Sequence, residues 1–139
     1  MVIELGGNPS FDFNGSITHL VCEQIVRNEK ILSCISCGLY VLRLEYIMDS
    51  YKAKKWLDPE DYEWGNPIFM KKYQFTLERL ECLARSSRQW RIELQEISPH
   101  RRAFSNWRAV LYCSRRRFVE IQRIIINGGG IAIHRFKFR

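Results

Sequence analysis

Between residues 16 and 55 the hydrophobic pattern switches from strand to helix to strand to helix, and this alternation constrains the fold more than any other feature of the chain. Ser16-Ile-Thr-His-Leu-Val-Cys22 is rich in β-formers and apolar on both faces, as a strand covered on both sides should be. A polar loop then runs to Asn28, a good helix N-cap. Ile31, Leu32 and Ile35 recur at helical spacing, and Gly38 stands where a glycine closes a helix. Leu39-Tyr-Val-Leu42 reads as a second strand. Residues 45–55 read as a second helix, with Ile47, Met48 and Tyr51 on its buried face. Strands joined through a helix run parallel, so the expected class is α/β.

The rest of the chain has a similar grammar. Asp58-Pro-Glu-Asp-Tyr-Glu-Trp-Gly65 is acidic and turn-rich, and reads as a solvated turn carrying two aromatics. After Asn66-Pro67, residues 70–97 read as a long amphipathic connector. Tyr73, Leu77, Leu80 and Ala84 form one stripe, and Trp90, Leu94 and Ile97 continue it beyond Ser86-Ser87. A strand is expected over Trp107–Cys113. A helix follows from Ser114 to about Ile126, with Phe118, Ile121, Ile124 and Ile125 inward. Gly128-Gly-Gly130 stops it, and the alternation of Ile131–Phe138 reads as another strand. Val2-Ile-Glu-Leu-Gly-Gly7 and Ile124-Ile-Ile-Asn-Gly-Gly-Gly130 look like copies, each an apolar helix end followed by glycines.

Charge and reactive residues narrow the function classes. The 22 Lys and Arg exceed the 15 Asp and Glu, giving a net charge of +7 in 139 residues, which favours polyanionic partners. No apolar run approaches the roughly 20 residues of a membrane span, and the N-terminus lacks a secretory pattern, so a soluble intracellular protein is expected. Five cysteines, an odd number, do not suggest a disulfide framework. Cys34 and Cys37 form a C-x-x-C without the second pair that zinc needs. They stand at a helix C-terminus, where the dipole opposes a thiolate, so they read as small buried residues. His19 lies inside a strand, His100 in a loop and His134 on the last strand, with no spacing that suggests a triad or metal site. Gly128–Gly130 follows a helix instead of preceding one, so it does not form a phosphate loop. No catalysis, cofactor or metal is expected.

Taken in order, Leu5-Gly-Gly7, Ile17-Thr-His-Leu-Val21, Arg27-Asn-Glu-Lys-Ile-Leu32, Gly38-Leu-Tyr-Val-Leu42 and Glu45-Tyr-Ile47 resemble BRCT repeats, the phosphoprotein-binding modules of the DNA-damage response. Asn28 stands for the family's usual threonine, and Tyr40 and Tyr46 for its usual tryptophans. Asp61-Tyr-Glu-Trp-Gly65 is similar to the tandem BRCT pairs of DNA-repair and checkpoint scaffolds. So is the basic linker leading through Gln89-Trp-Arg-Ile-Glu-Leu94 to Ala103-Phe-Ser-Asn-Trp107. The resemblance implies a BRCT-type parallel sheet flanked by helices. It divides the chain into a first repeat over 1–66 lacking its first strand and most of its first helix, a helical linker over 67–102, and the N-terminal part of a second repeat over 103–139. One expectation is two incomplete repeats. The other is complementation, with strand 107–113 and helix 114–127 filling the first sheet and bringing Val110 against Leu20 or Val41.

The resemblance also implies a site. Lys30 matches the family's phosphate-contacting lysine, and Arg27 the arginine that contacts the peptide backbone downstream. Asn28 caps the helix between them. A helix N-terminus favours an anion on physical grounds as well. The family's other phosphate ligands are a Ser or Thr and a Gly after the first strand, and in the first repeat they would precede Met1; under complementation Ser114 would take the serine's place, with nothing glycine-like after it. The implied partner is a phosphorylated repair or checkpoint protein, and the implied location is nuclear. A second reading is DNA binding through Arg101, Arg102, Arg115, Arg116 and Arg117, with Trp107 and Tyr112 nearby. A third is phosphate-independent docking, including self-association through an incomplete sheet.

Overall fold

The computed structural model describes residues 1–98 and 100–135. The outer part of the strand expected over Ile131–Phe138 therefore lies outside the described residues. Strand β1 (His19–Cys22), helix α1 (Glu29–Ser36) and strand β2 (Tyr40–Arg43) form a parallel unit, with Leu20 opposite Val41. Helix α2 (Glu45–Ala53), a 3-10 turn (Pro59–Tyr62), a short helix α3 (Pro67–Met70) and the 20-residue helix α4 (Glu78–Ile97) follow. Strand β3 (Arg108–Leu111), helix α5 (Arg115–Asn127) and strand β4 (Ile131–His134) form a second parallel unit, with Val110 opposite Ile133. The class is α/β, as expected.

Complementation is overturned. Strands β3 and β4 pair with each other in a two-stranded sheet of their own, separate from the sheet of β1 and β2. Helices, not strands, join the two units. Ser33 and Ser36 of α1 are buried against α5: the Asn127 side chain donates to Ser33 Oγ at 3.1 Å, and the Ser36 hydroxyl reaches the Ile124 carbonyl at 3.4 Å. Gly128 is what this approach requires. A Cβ there would lie 2.4 Å from the Phe104 ring and 3.1 Å from Ser36 Cβ. The glycine run thus permits close packing in addition to ending a helix.

Several local expectations are corrected. Helix α2 buries Tyr46 and Ser50, while Met48 is exposed. Tyr46 turns inward because it stacks on Trp56 and faces His19. His19 itself is exposed rather than a core residue. Its ring lies flat on Tyr40, with centroids 5.3 Å apart. The stripe of α4 is Ala84, Ser87, Arg91 and Leu94, so two polar residues occupy positions where the apolar pattern looked interrupted.

The reason is Glu63. In the supposedly solvated acidic turn, Glu63 is fully buried and takes a bidentate pair of bonds from Arg91, Nε to Oε1 at 2.7 Å and Nη2 to Oε2 at 2.9 Å. Arg88 Nε stands 3.3 Å from the same carboxylate, and the Arg91 guanidinium lies 4.0 Å over the Tyr40 ring. Burial works against the Arg91 charge, but the bonds to Glu63 outweigh it and hold its pKa above the ordinary value. Trp64, next in sequence, joins Ile25, Ile31, Cys34, Val41 and Ala84 in the core. One turn therefore anchors the connector to the first unit through adjacent charged and aromatic side chains.

Candidate phosphate-recognition site

Helix α1 starts as its sequence dictates. Asn28 adopts an extended backbone, and its side chain accepts the Ile31 N–H at 3.0 Å while its carbonyl accepts the Leu32 N–H. The N–H groups of Glu29 and Lys30 find no backbone acceptor among the described residues, so the helix start keeps two outward donors and the positive end of its dipole. Arg27, Asn28 and Lys30 are all exposed beside it. The Lys30 ammonium donates to the Phe11 carbonyl at 2.6 Å. That acceptor is neutral, so it orients the lysine without cancelling its charge.

Sequence reasoning missed a further cation here. Arg123 of α5 reaches Glu29 at 3.5 Å, 94 residues away in the chain. The packing of α5 on α1 thus brings a guanidinium from the second unit to the first turn of α1. Glu29 is the carboxylate within that turn, and Arg123 offsets it. Nothing in the local pattern could signal this contact, since it depends on how the helices cross.

The five arginines of the second reading are not brought together. Arg102 lies at the C-terminal end of α5, where Nη1 donates to the Asn127 carbonyl at 3.0 Å and satisfies a helix end. Arg101 is its exposed neighbour. Arg115, Arg116 and Arg117 open the same helix at its other end. At 1.5 Å per residue the two clusters are about 18 Å apart. Ser114 occupies the N-cap position of α5 without a side-chain bond, and no acidic residue stands in the first turn.

Cys22, Cys34 and Cys37 are poorly suited to nucleophilic chemistry. Cys34 is fully buried and its thiol points to the Tyr40 carbonyl at 3.5 Å. Cys37 is half-buried and donates to the Asn127 carbonyl at 2.9 Å, across the contact between the units. Burial raises the pKa of both, and holds that of Cys22 at about 11. Among the described residues, no group of His, Cys, Asp and Glu is arranged to hold a metal ion. No helix of the described residues is long and apolar enough to cross a membrane.

With this geometry in view, comparison with known proteins gives a consistent result. Residues 6–64 match the family model described as the Regulator of Ty1 transposition protein 107 BRCT domain. The chain is 34% identical over 94 residues to the SMC5-SMC6 complex localization factor protein 1 of Mus musculus, covering 68% of this chain and 8% of that protein. It is 34% identical over 87 residues to the Mediator of DNA damage checkpoint protein 1 of Mus musculus, covering 63% of this chain and 5% of that protein. The chain thus spans less than a tenth of these relatives. Among solved structures it is similar to the BRCT5-BRCT6 domains of S. pombe Brc1, with a TM-score of 0.53 and 22% identity over 85% of this chain and 51% of that one. That last likeness concerns the fold.

Proposed function

Residues 6–64 are a BRCT domain, homologous to BRCT regions of DNA-repair and checkpoint proteins, and from that premise we propose that the chain is a non-enzymatic, nuclear scaffold module that binds a phosphorylated repair or checkpoint protein. The observation that carries this reading is the first turn of α1. Among the described residues, two N–H groups without a backbone acceptor, an exposed Lys30 bonded to a neutral carbonyl, and exposed Arg27 surround one helix start. A phosphate there accepts charge-assisted bonds from Lys30 and sits on the helix dipole. Arg27 holds the peptide downstream, and Arg123 keeps Glu29 from repelling the anion. The module's role is recruitment, by linking a phosphorylated partner to the complex that carries this chain.

The test is fluorescence anisotropy with a phosphoserine peptide library and its unphosphorylated counterparts. Phosphate-dependent binding should fall roughly ten-fold or more in Lys30→Ala, the worth of one hydrogen bond to a charged group, and recover partly in Lys30→Arg. Equal binding of both peptide forms by the folded chain would overturn the reading.

DNA binding is the second reading, favoured by one observation: three arginines and an N-cap serine without a side-chain bond at the start of α5. It is told apart by salt. Backbone binding to DNA weakens steeply with salt, and each neutralised arginine among Arg115, Arg116 and Arg117 should reduce the slope by about 0.9.

A further inference from the structure

We propose that Ser105 is a phosphorylation site for an arginine-directed protein kinase, and that the phosphate releases a turn that latches the second unit to the first. Of all the serines and threonines in the chain, Ser105 alone has an arginine three residues before it, Arg102, and Arg101 precedes that. Kinases choose substrates by charge patterns of this kind, with carboxylates of the enzyme taking the guanidiniums. Arg101, Arg102, Asn106 and Trp107 are exposed, and Ser105 is half-buried in a turn outside the helices and strands. The segment therefore displays its arginines and can be drawn into a kinase cleft without unwinding a regular element. There the γ-phosphoryl group of ATP passes to Oγ. Its bond to the β-phosphate oxygen breaks, ADP leaves, and the hydroxyl proton goes to the aspartate of the kinase.

The same turn joins the units. The Ala103 N–H donates to the Ser36 carbonyl of α1 at 2.9 Å, and the Phe104 N–H to the Gly128 carbonyl just beyond α5 at 2.8 Å. Arg102 holds the Asn127 carbonyl beside it. Ser105 closes the turn from within. Its Oγ accepts the Arg102 N–H at 2.9 Å, and its own N–H donates to the Arg102 carbonyl at 3.2 Å. Gly129 packs so near that a Cβ on it would lie 3.2 Å from that oxygen. A phosphoryl group on Oγ crowds Gly129 and brings about two negative charges to the carbonyl end of α5, where the helix dipole repels them. The Arg102 guanidinium, now on the Asn127 carbonyl, is drawn to the stronger acceptor. Once modified in its open form, the turn does not close as before, and the bonds from Ala103 and Phe104 to the two units weaken. This contact stands apart from phosphopeptide binding at α1.

The test incubates the full chain with ATP and a recombinant kinase that requires arginine three residues before the serine. A free peptide of residues 98–108 serves as the substrate without a fold. Fragment-ion mass spectrometry should place a phosphate on Ser105 of the folded chain, within roughly ten-fold of the peptide's rate, since only a local opening is needed. Hydrogen exchange followed by NMR should then quicken by roughly ten-fold at the Ala103 and Phe104 amides, as the loss of about one hydrogen bond does. The Trp64 amide, bonded to the Val41 carbonyl in the first unit, should exchange as before. Kinase treatment of Ser105→Ala should change nothing. If that variant fails to fold, the parent treated without ATP takes its place. A folded chain left unmodified at Ser105, a peptide that is not modified either, or a phosphorylated chain whose Ala103 and Phe104 amides exchange as before would each overturn the proposal.

Discussion

Each of the two parallel strand pairs joins four-residue strands through a single helix, but their central valines differ sharply. Val41 in β2 is fully buried, whereas Val110 in β3 is 58% exposed. The helices between the strands do not explain this, because α1 and α5 are both amphipathic and each packs on its own pair. What differs is the material added afterwards. On the first unit, Trp64 and Ala84 close over Val41, Tyr46 of α2 faces His19 of β1, and the Glu63–Arg91 pair ties α4 in place. On the second unit, Val110, Ile131 and Ile133 remain more than half exposed among the described residues. A strand–helix–strand motif buries one sheet face by itself, and whether the second face joins a core depends on segments outside the motif.

The strongest way to break this difference is to remove the clamp. Arg91→Ala removes both bidentate bonds to the buried Glu63 carboxylate, leaves only Arg88 beside it, and should cost about 3 kcal/mol in urea unfolding, the low end for a broken buried pair. Replacing both partners, Glu63→Leu with Arg91→Met, should recover most of that, because the penalty comes from the under-paired buried charge. If Arg91→Ala were as stable as the parent, α4 would not be what completes the first unit.

A matched pair sharpens the same point. Val41→Ala opens a cavity in the core and should cost roughly 2 kcal/mol. Val110→Ala should change stability by less than about 0.5 kcal/mol, as a surface substitution does. Equal costs, measured by the same denaturant melts, would mean that the second unit has a core on that face too.

The smallest expected effect concerns His19. Partial burial against Tyr40 and Tyr46 lowers its pKa, so the folded state prefers the neutral ring. Its contribution to stability is therefore full above the unfolded value near 6.5 and is lost as the pH falls through the folded value. Melting temperatures of the parent between pH 7.5 and 5 should drop more than those of His19→Gln. Parallel curves would show that the ring's partial exposure removes the effect.

Much of this was legible because it is local. Asn28 as a cap, Gly38 as a helix end with φ of +69°, the order of strands and helices, and the parallel pairings all follow from patterns a few residues long. The candidate site was legible in half: Lys30 and Arg27 flank a helix start that the sequence marks. Its acceptor, the Phe11 carbonyl, and its added cation, Arg123, were not, because both are set by how distant segments pack. Glu63 was misread for the same reason. An acidic residue among Asp58, Glu60 and Asp61 looks solvated until an arginine 28 positions later is known to meet it.

By itself, then, the amino-acid sequence determined the secondary elements, the parallel sense of the strands and the helix start that bears the cations, since propensity, capping and hydrophobic period act over single turns. Only the tertiary structure decided that the two strand pairs remain separate sheets, that α1 and α5 join them through buried serines and Gly128, and that Val41 is buried while Val110 is exposed. Those outcomes depend on which surfaces meet across tens of residues. Close packing selects among such arrangements by shape and by whether each buried charge finds its partner, and neither can be read from a short window.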